Sequence, residues 1–448
     1  MTPRPVPRLP ASPTHLPSLD GLRGLAIALV LLHNFDVLEP AAGRTIGTAL
    51  LKELFYVGWI GVQLFFVLSG FLITRGLIQM QGLPGYFQGF FVKRVLRIFP
   101  LYYLALIVFV EVLPGLGWVP ARPTEHGHAW LWLYLSNWVT PFEPGGGLMP
   151  HFWSLAVEEQ FYLLWPLLLW RMSLRDIWLL CLMLIGLSPL LRVLLLSQGA
   201  PAEAVYEFTI SRMDALAAGA ALATWDQGRE AHGSTRWRAS HLGMIAVVLL
   251  VATAGWSNGF RRIGDVAQVA GYSALTAAFT ALTGWALLND QARFRGAALP
   301  RAARMLTVAP LRWLGKYSYA LYVFHKPLQD LVGEPLLAHL TGQPHTADPV
   351  IAVLYLMAAA GVTGGVAWLS WQLFERHFMV LKDRWARTRA PSGPATTAPS
   401  ILPAPVPPRR GIPRGRVTAA QRRRFRPSAP GPLASLQSLL RGLPAPRR

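Results

Sequence analysis

Stretches of about twenty apolar residues recur along this chain from Leu22 to Phe378, and nothing else in the sequence limits its fold as tightly. A helix rises about 1.5 Å per residue, so roughly 20 apolar residues match the hydrocarbon core of a bilayer. Only 14% of the 448 residues are charged, against about 25% in soluble domains. The expectation is an all-α, polytopic membrane helix bundle of about ten transmembrane helices. The spans are placed near 21–38, 58–78, 98–116, 152–171, 176–196, 206–225, 241–258, 264–288, 313–332 and 350–378. The run WLWLYLSNWVT at 130–140 is too short to cross. It is expected to be re-entrant or interfacial on the outer face, with its tryptophans at headgroup level.

Arginine and lysine orient the bundle. With the N-terminus inside, the cytoplasmic loops hold Lys93, Arg94, Arg97, Arg229, Arg236, Arg238 and an arginine-rich 289–312 segment, whereas Arg44, Lys52, Arg122, Arg261 and Arg262 are left outside. Both termini are therefore expected in the cytoplasm. The same bias accounts for 42 basic against 22 acidic residues without invoking nucleic acid. Residues 1–17 and the Pro/Arg-rich tail 381–448 have little to bury and are expected to be disordered, flanking a membrane domain at 18–380. The LASLQSLLRGL stretch of the tail could lie on a surface as an amphipathic turn. The apolar run after Ser18 carries polar residues and no small-residue cleavage site, so it is read as a retained helix rather than a signal peptide. Cys181 is the only cysteine, which excludes an internal disulfide framework and a Cys-ligated metal site.

Ionisable groups inside spans are costly and each is a functional candidate. Here they are His33, Asp36, Glu158, Glu159, Asp214, Asp265, His325 and Glu375. Asp214 is close to Arg212 in sequence and could pair with it. His33 lies about 15 Å along the helix axis from Arg23, near half the hydrocarbon depth. Its imidazole can exchange a proton, and Asp36 one turn on could orient it; the alternative is a structural hydrogen bond across helices. Arg94 and Arg97 are three apart and share a helix face, either as positive-inside anchors or as a fork for phosphates. His151, Trp153 and Ser154 begin the span HFWSLAVEEQFYLLWPLLLW, with Glu158 one turn below Ser154. Such a polar, aromatic-rimmed face suits a hydroxyl-rich ligand, or else forms an aromatic belt.

Six stretches in order, SLDGLRGLAIALVLLHNF, GVQLFFVLSGFLITR, KRVLRIFPLYY, HFWSLAVEEQFYLLWPLL, RMDALAAGAALA and LGKYSYALYVFHKPL, make the chain resemble the acyltransferase 3 family from about Ser18 to Phe378. The resemblance implies a bacterial cytoplasmic (inner) membrane enzyme. It would transfer an acyl group from cytoplasmic acyl-CoA, acetyl-CoA foremost, to a hydroxyl of a polysaccharide, glycolipid or similar acceptor, with no bound cofactor, metal or nucleic acid. By carry-over, Arg23 and His33 match the family's first-span pair, with His33 as base or acyl carrier. Arg94 and Arg97 would bind the donor, and His151, Trp153, Ser154 and Glu158 would serve the acceptor side and the chemistry. The family pattern places ten residues between the arginine and the histidine, where GLAIALVLL supplies nine. Ten steps of 100° leave His33 about 80° off the face of Arg23. Some relatives carry a soluble esterase-like domain after the spans; the tail here is too short for one, so the chemistry is expected in the membrane part or with a separate partner. A transporter or flippase using the same buried charges is the alternative reading.

Overall fold

The structure is a computed structural model that describes residues 16–39, 45–118, 128–142, 149–228, 235–256 and 260–388. The expected disorder before residue 16 and after 388, and the LASLQSLLRGL stretch, lie outside the described residues. Within them the chain is all-helical, and the one strand-like pairing is a bridge between Leu38 and Thr346. The long helices are α1 (Pro17–Asn34), α2 (Ile46–Val57), α3 (Ile60–Met80), α4 (Tyr86–Leu106), α5 (Phe152–Leu169), α6 (Leu174–Ser197) and α7 (Thr209–Gly228). They continue with α8 (Thr235–Trp256), α9 (Tyr272–Phe294), α10 (Ala309–Leu328), α11 (Glu334–Thr341), α12 (Pro349–Ser370) and α13 (Arg376–Thr388).

A helix stands at every expected span, although α4 starts twelve residues ahead of the span placed at 98–116. Arg94 and Arg97, expected on a helix face just before a span, lie within the helix that forms that span. Helices α2, α11 and α13 were not anticipated as separate elements; α13 runs across the boundary placed at 380. Four stretches are long and apolar enough to cross a membrane by themselves: Ile46–Met80, Tyr86–Gly115, Leu174–Ser197 and Pro349–Trp385. The 130–140 run forms only short helical turns, Ala129–Trp132, Ser136–Trp138 and Thr140–Phe142. It is held by Gln160, whose Nε2 donates to Tyr134 O at 2.9 Å and to Asn137 Oδ1 at 2.8 Å, and by Tyr102, whose hydroxyl donates to Leu131 O at 2.7 Å.

Glycine brings the central helices into backbone contact. A Cβ on Gly24 of α1 would lie 1.9 Å from Leu311 O of α10, and one on Gly315 of α10 would lie 2.0 Å from Asp20 O. Between α3 and α7, Gly70 and Gly219 approach Leu216 O and Val67 O in the same way, at 1.9 and 2.0 Å. Small residues at such crossings let helices gain dispersion contacts that larger side chains would hold apart. A buried ion pair adds a second tie: Asp214 accepts from both terminal nitrogens of Arg192 at 2.9 Å. This corrects the pairing suggested by sequence proximity. Arg212 instead donates to Gln63 and lies over the Tyr206 and Tyr272 rings, 4.8 Å from each centroid.

Overpacking a tight core typically costs about 1–3 kcal/mol. Gly24→Ala is accordingly expected to lower the detergent-solubilised protein's Tm by several degrees. Gly76→Ala, where a Cβ meets nothing within 4 Å, should leave Tm unchanged or raise it, because alanine favours a helix by about 1 kcal/mol over glycine. Equal Tm values for the two variants would remove the argument from backbone approach.

Candidate active site

One cavity gathers most of the sequence candidates, and helical spacing explains how. On α5, Ser154, Glu158 and Tyr162 recur every fourth residue and so share a face. Arg94 and Arg97 are three apart on α4, and Ser318 and Tyr322 four apart on α10. With Arg23 from α1 and Ser69 from α3 they line a space of about 910 Å³ counted out to its mouth.

The cationic wall is formed by Arg23, Arg94 and Arg97. Arg23 donates to Ser318 Oγ at 3.1 Å, and the Arg94 guanidinium lies 5.2 Å from the Tyr162 ring centroid. Arg97 stands within electrostatic reach of both other arginines. Among the described residues none of the three makes an ion pair within 4.0 Å. Across the cavity, Glu158 Oε1 accepts from Ser69 Oγ at 2.8 Å, and that hydroxyl is 2.6 Å from Tyr162 Oη. Glu159 also lines the cavity, with Oε1 buried and unpartnered. The adjacent acids thus divide: one is held by a hydroxyl pair and the other keeps a free oxygen.

Ser154 and Tyr322 form another part of the wall. Both hydroxyls reach the His151 carbonyl, Tyr322 Oη at 2.9 Å and Ser154 Oγ at 3.3 Å, and they lie 2.6 Å from each other. His151 itself lies behind this wall, its ring centroid 4.7 Å from that of His325. Trp153 does not line the cavity but packs against Phe66, which does, and against Tyr206. His33 is not on the cavity either. Its Nδ1 donates to Phe55 O at 3.3 Å and its ring meets the edge of Tyr56. Asp36 does not orient it, because Asp36 is engaged by Lys52 at 2.7 Å and by Leu38 N at 3.0 Å. Helix α1 runs unbroken from Pro17 to Asn34, so the angular offset between Arg23 and His33 is realised and the two residues serve different surroundings. Asn34, nearest in register to Arg23, turns back onto Val30 O of its own helix.

Sequence reasoning missed Ser69, Ser318, Tyr319 and Tyr322 as cavity residues. The available signal was their spacing: Tyr319 and Tyr322 are three apart in LGKYSYALYVFHKPL, and Ser69 is the hydroxyl of an otherwise apolar VLSGFL.

The acyltransferase domain profile matches residues 16–371, spanning every cavity element. The chain belongs to the acyltransferase 3 family. It is a multi-pass membrane protein of that family. It is 29% identical over 350 residues to the peptidoglycan O-acetyltransferase OatA of Listeria monocytogenes, covering 71% of this chain and 50% of that one. It is also 29% identical over 362 residues to YrhL of Bacillus subtilis, whose name assigns it provisionally to the same activity, covering 73% of this chain and 51% of that one. The chain therefore spans about half the length of these relatives. No solved structure matches it.

Three guanidiniums on one wall, without an ion pair among the described residues, repel each other, and a polyanion would relieve that repulsion. Arg97→Met should raise the ligand-free Tm by relieving that repulsion. Pyrophosphate at millimolar concentration should stabilise the unmodified protein and do so much less in Arg97→Met. An equal pyrophosphate shift in both proteins would remove Arg97 from the anion site.

Proposed function

We propose that this chain is a membrane O-acyltransferase that passes an acetyl group from cytoplasmic acetyl-CoA to a hydroxyl of a cell-wall glycan or its lipid-linked precursor. The observation that carries the reading is the cavity of a family member in which three guanidiniums lack a carboxylate partner within 4.0 Å among the described residues. A CoA thioester brings phosphates that such a wall would neutralise, and Arg94 with Arg97 offers planar forks suited to them. We place the bundle in a bacterial cytoplasmic membrane with about ten spans and both termini inside; the bacterial relatives support the first and the distribution of lysine and arginine supports the orientation. Peptidoglycan as the acceptor is supported by the name of the Listeria relative.

The roles then divide by position. Arg94 and Arg97 hold the donor's phosphates, with Arg23 anchored to Ser318 beside them. Glu158, fixed by Ser69 and Tyr162, supplies the negative charge that keeps the cationic wall separated and orients what enters. Ser154, His151 and His33 belong to the acceptor side, with Trp153 packing behind Ser154's neighbours.

The direct test supplies labelled acetyl-CoA to inside-out membrane vesicles bearing the protein at matched levels. Label should pass into a glycan or lipid fraction, at a rate lowered about 10²-fold or more by Glu158→Gln and by His33→Ala, without loss of folded protein. Arg97→Ala should weaken acetyl-CoA binding by about 10-fold or more, since charged hydrogen bonds contribute about 1.5–3 kcal/mol. That deficit should shrink at high salt, where the charge is screened in both proteins. Transfer from no acyl-CoA, or a donor affinity unaffected by Arg97→Ala at every ionic strength, would overturn the respective assignment.

A further inference from the structure

Behind the Ser154–Tyr322 wall lies a pair of imidazoles that the roles above leave unused as a pair. His325 is completely buried and His151 is 8% exposed. The rings meet edge to face, with centroids 4.7 Å apart and planes at 69°. Each is anchored through one nitrogen to a backbone carbonyl: His151 Nε2 to Val323 O at 3.3 Å, and His325 Nδ1 to Tyr322 O at 2.7 Å. A carbonyl only accepts, so those nitrogens carry the protons and the tautomers are fixed. What remains is His151 Nδ1 and His325 Nε2, two buried lone pairs, neither with a hydrogen-bond partner.

Leaving a buried polar atom unsatisfied costs about 1–3 kcal/mol, so two together mark a place where donors are meant to come. Water or an alcohol supplies an O–H that answers a lone pair; for a metal ion, the described residues hold no group of three or more His, Cys, Asp or Glu that could ligate it. The position of the pair narrows the choice. On one side it adjoins the arginine-lined cavity, because Tyr322 lines that cavity and donates to the His151 carbonyl. On the other, the Phe35 ring packs against His325 with centroids 6.3 Å apart, and Phe35 also lines a separate apolar cavity with Leu336, Leu354 and Tyr355. The pair thus stands between two cavities of opposite character.

We propose that His151 and His325 bind and deprotonate the acceptor's hydroxyl. This rests on the acyl-transfer reading and deepens it. The hydroxyl proton passes to a free ring nitrogen as the oxygen attacks the thioester carbonyl. The C–S bond then breaks and the departing thiolate takes the proton back, so ester and thiol form with no net proton change.

The test uses the full chain in lipid nanodiscs with acetyl-CoA, comparing wild type with His151→Asn, His325→Asn and the corresponding glutamine variants. Acetyl-CoA affinity is measured first, then CoA release with either chitotetraose or trifluoroethanol as acceptor. Trifluoroethanol ionises more readily than a sugar hydroxyl and depends less on a base. The variants should keep donor affinity within about twofold, lose about 10²-fold or more in transfer to chitotetraose, and lose far less with trifluoroethanol. Wild-type rates on the sugar, or equal losses with both acceptors, would overturn the assignment, the second by showing that the pair is structural or holds only a fixed water. If the wild type binds acetyl-CoA yet acetylates neither acceptor, acyl transfer itself falls and takes this proposal with it, a result distinct from variant failure against an active wild type.

Discussion

Everything at the centre of this bundle depends on how closely its helices approach. In lipid, helix association gains little from hydrophobic exclusion and must come from packing and polar contacts. Gly24 and Gly315 bring α1 onto α10, and Gly70 and Gly219 bring α3 onto α7, each at a distance that excludes a methyl group. Two cavity residues are sequence neighbours of these glycines: Arg23 precedes Gly24 and Ser69 precedes Gly70. A side chain beside a crossing point is carried inward with the backbone. The crossings therefore fix both the fold and the places where polar groups meet.

The cavity that results is electrostatically unfinished. A buried ion pair elsewhere in the bundle, Arg192 with Asp214, shows how the chain neutralises a charge it means to bury. Arg23, Arg94 and Arg97 are treated differently: a hydroxyl, an aromatic face and open space stand where carboxylates would. Glu158 is near enough to feel these charges and is held by Ser69 instead. Such an arrangement sacrifices stability unless an anion completes it, which is how a ligand-binding wall differs from a structural one.

Much of this was legible in the sequence. Apolar periodicity located a helix at each expected span, since a membrane leaves few alternatives to helix. Helices α2 and α13 escaped because KELFYV and LKDRWART alternate charge with apolar residues and read as loop or tail. The arginine pair was legible because charge inside an apolar chain is conspicuous. Ser69, Ser318 and Tyr322 were not, because serine and tyrosine are tolerated on any helix face and only tertiary packing selects the inward ones. The relation of Asp36 to Lys52, and of Asp214 to Arg192, depended on partners distant in sequence. Proximity along the chain had suggested His33 and Arg212 instead.

The offset in α1 carries a functional consequence. Ten steps of uninterrupted α-helix set Arg23 and His33 apart in direction as well as depth, so one helix presents a cation to the arginine-lined cavity and an imidazole to the surroundings of α2. Between these faces, α5 and α10 contribute Ser154, Tyr322, His151 and His325, whose hydrogen bonds run from the cavity wall to the imidazole pair. His33 stands within electrostatic reach of His325, beyond that pair. A group transfer across a membrane needs the donor and acceptor to meet without opening a continuous aqueous path. Polar groups distributed over adjoining helices meet that requirement, because Ser154 and Tyr322 link the cavity wall to the imidazole pair through hydrogen bonds while aromatic rings fill the space around them.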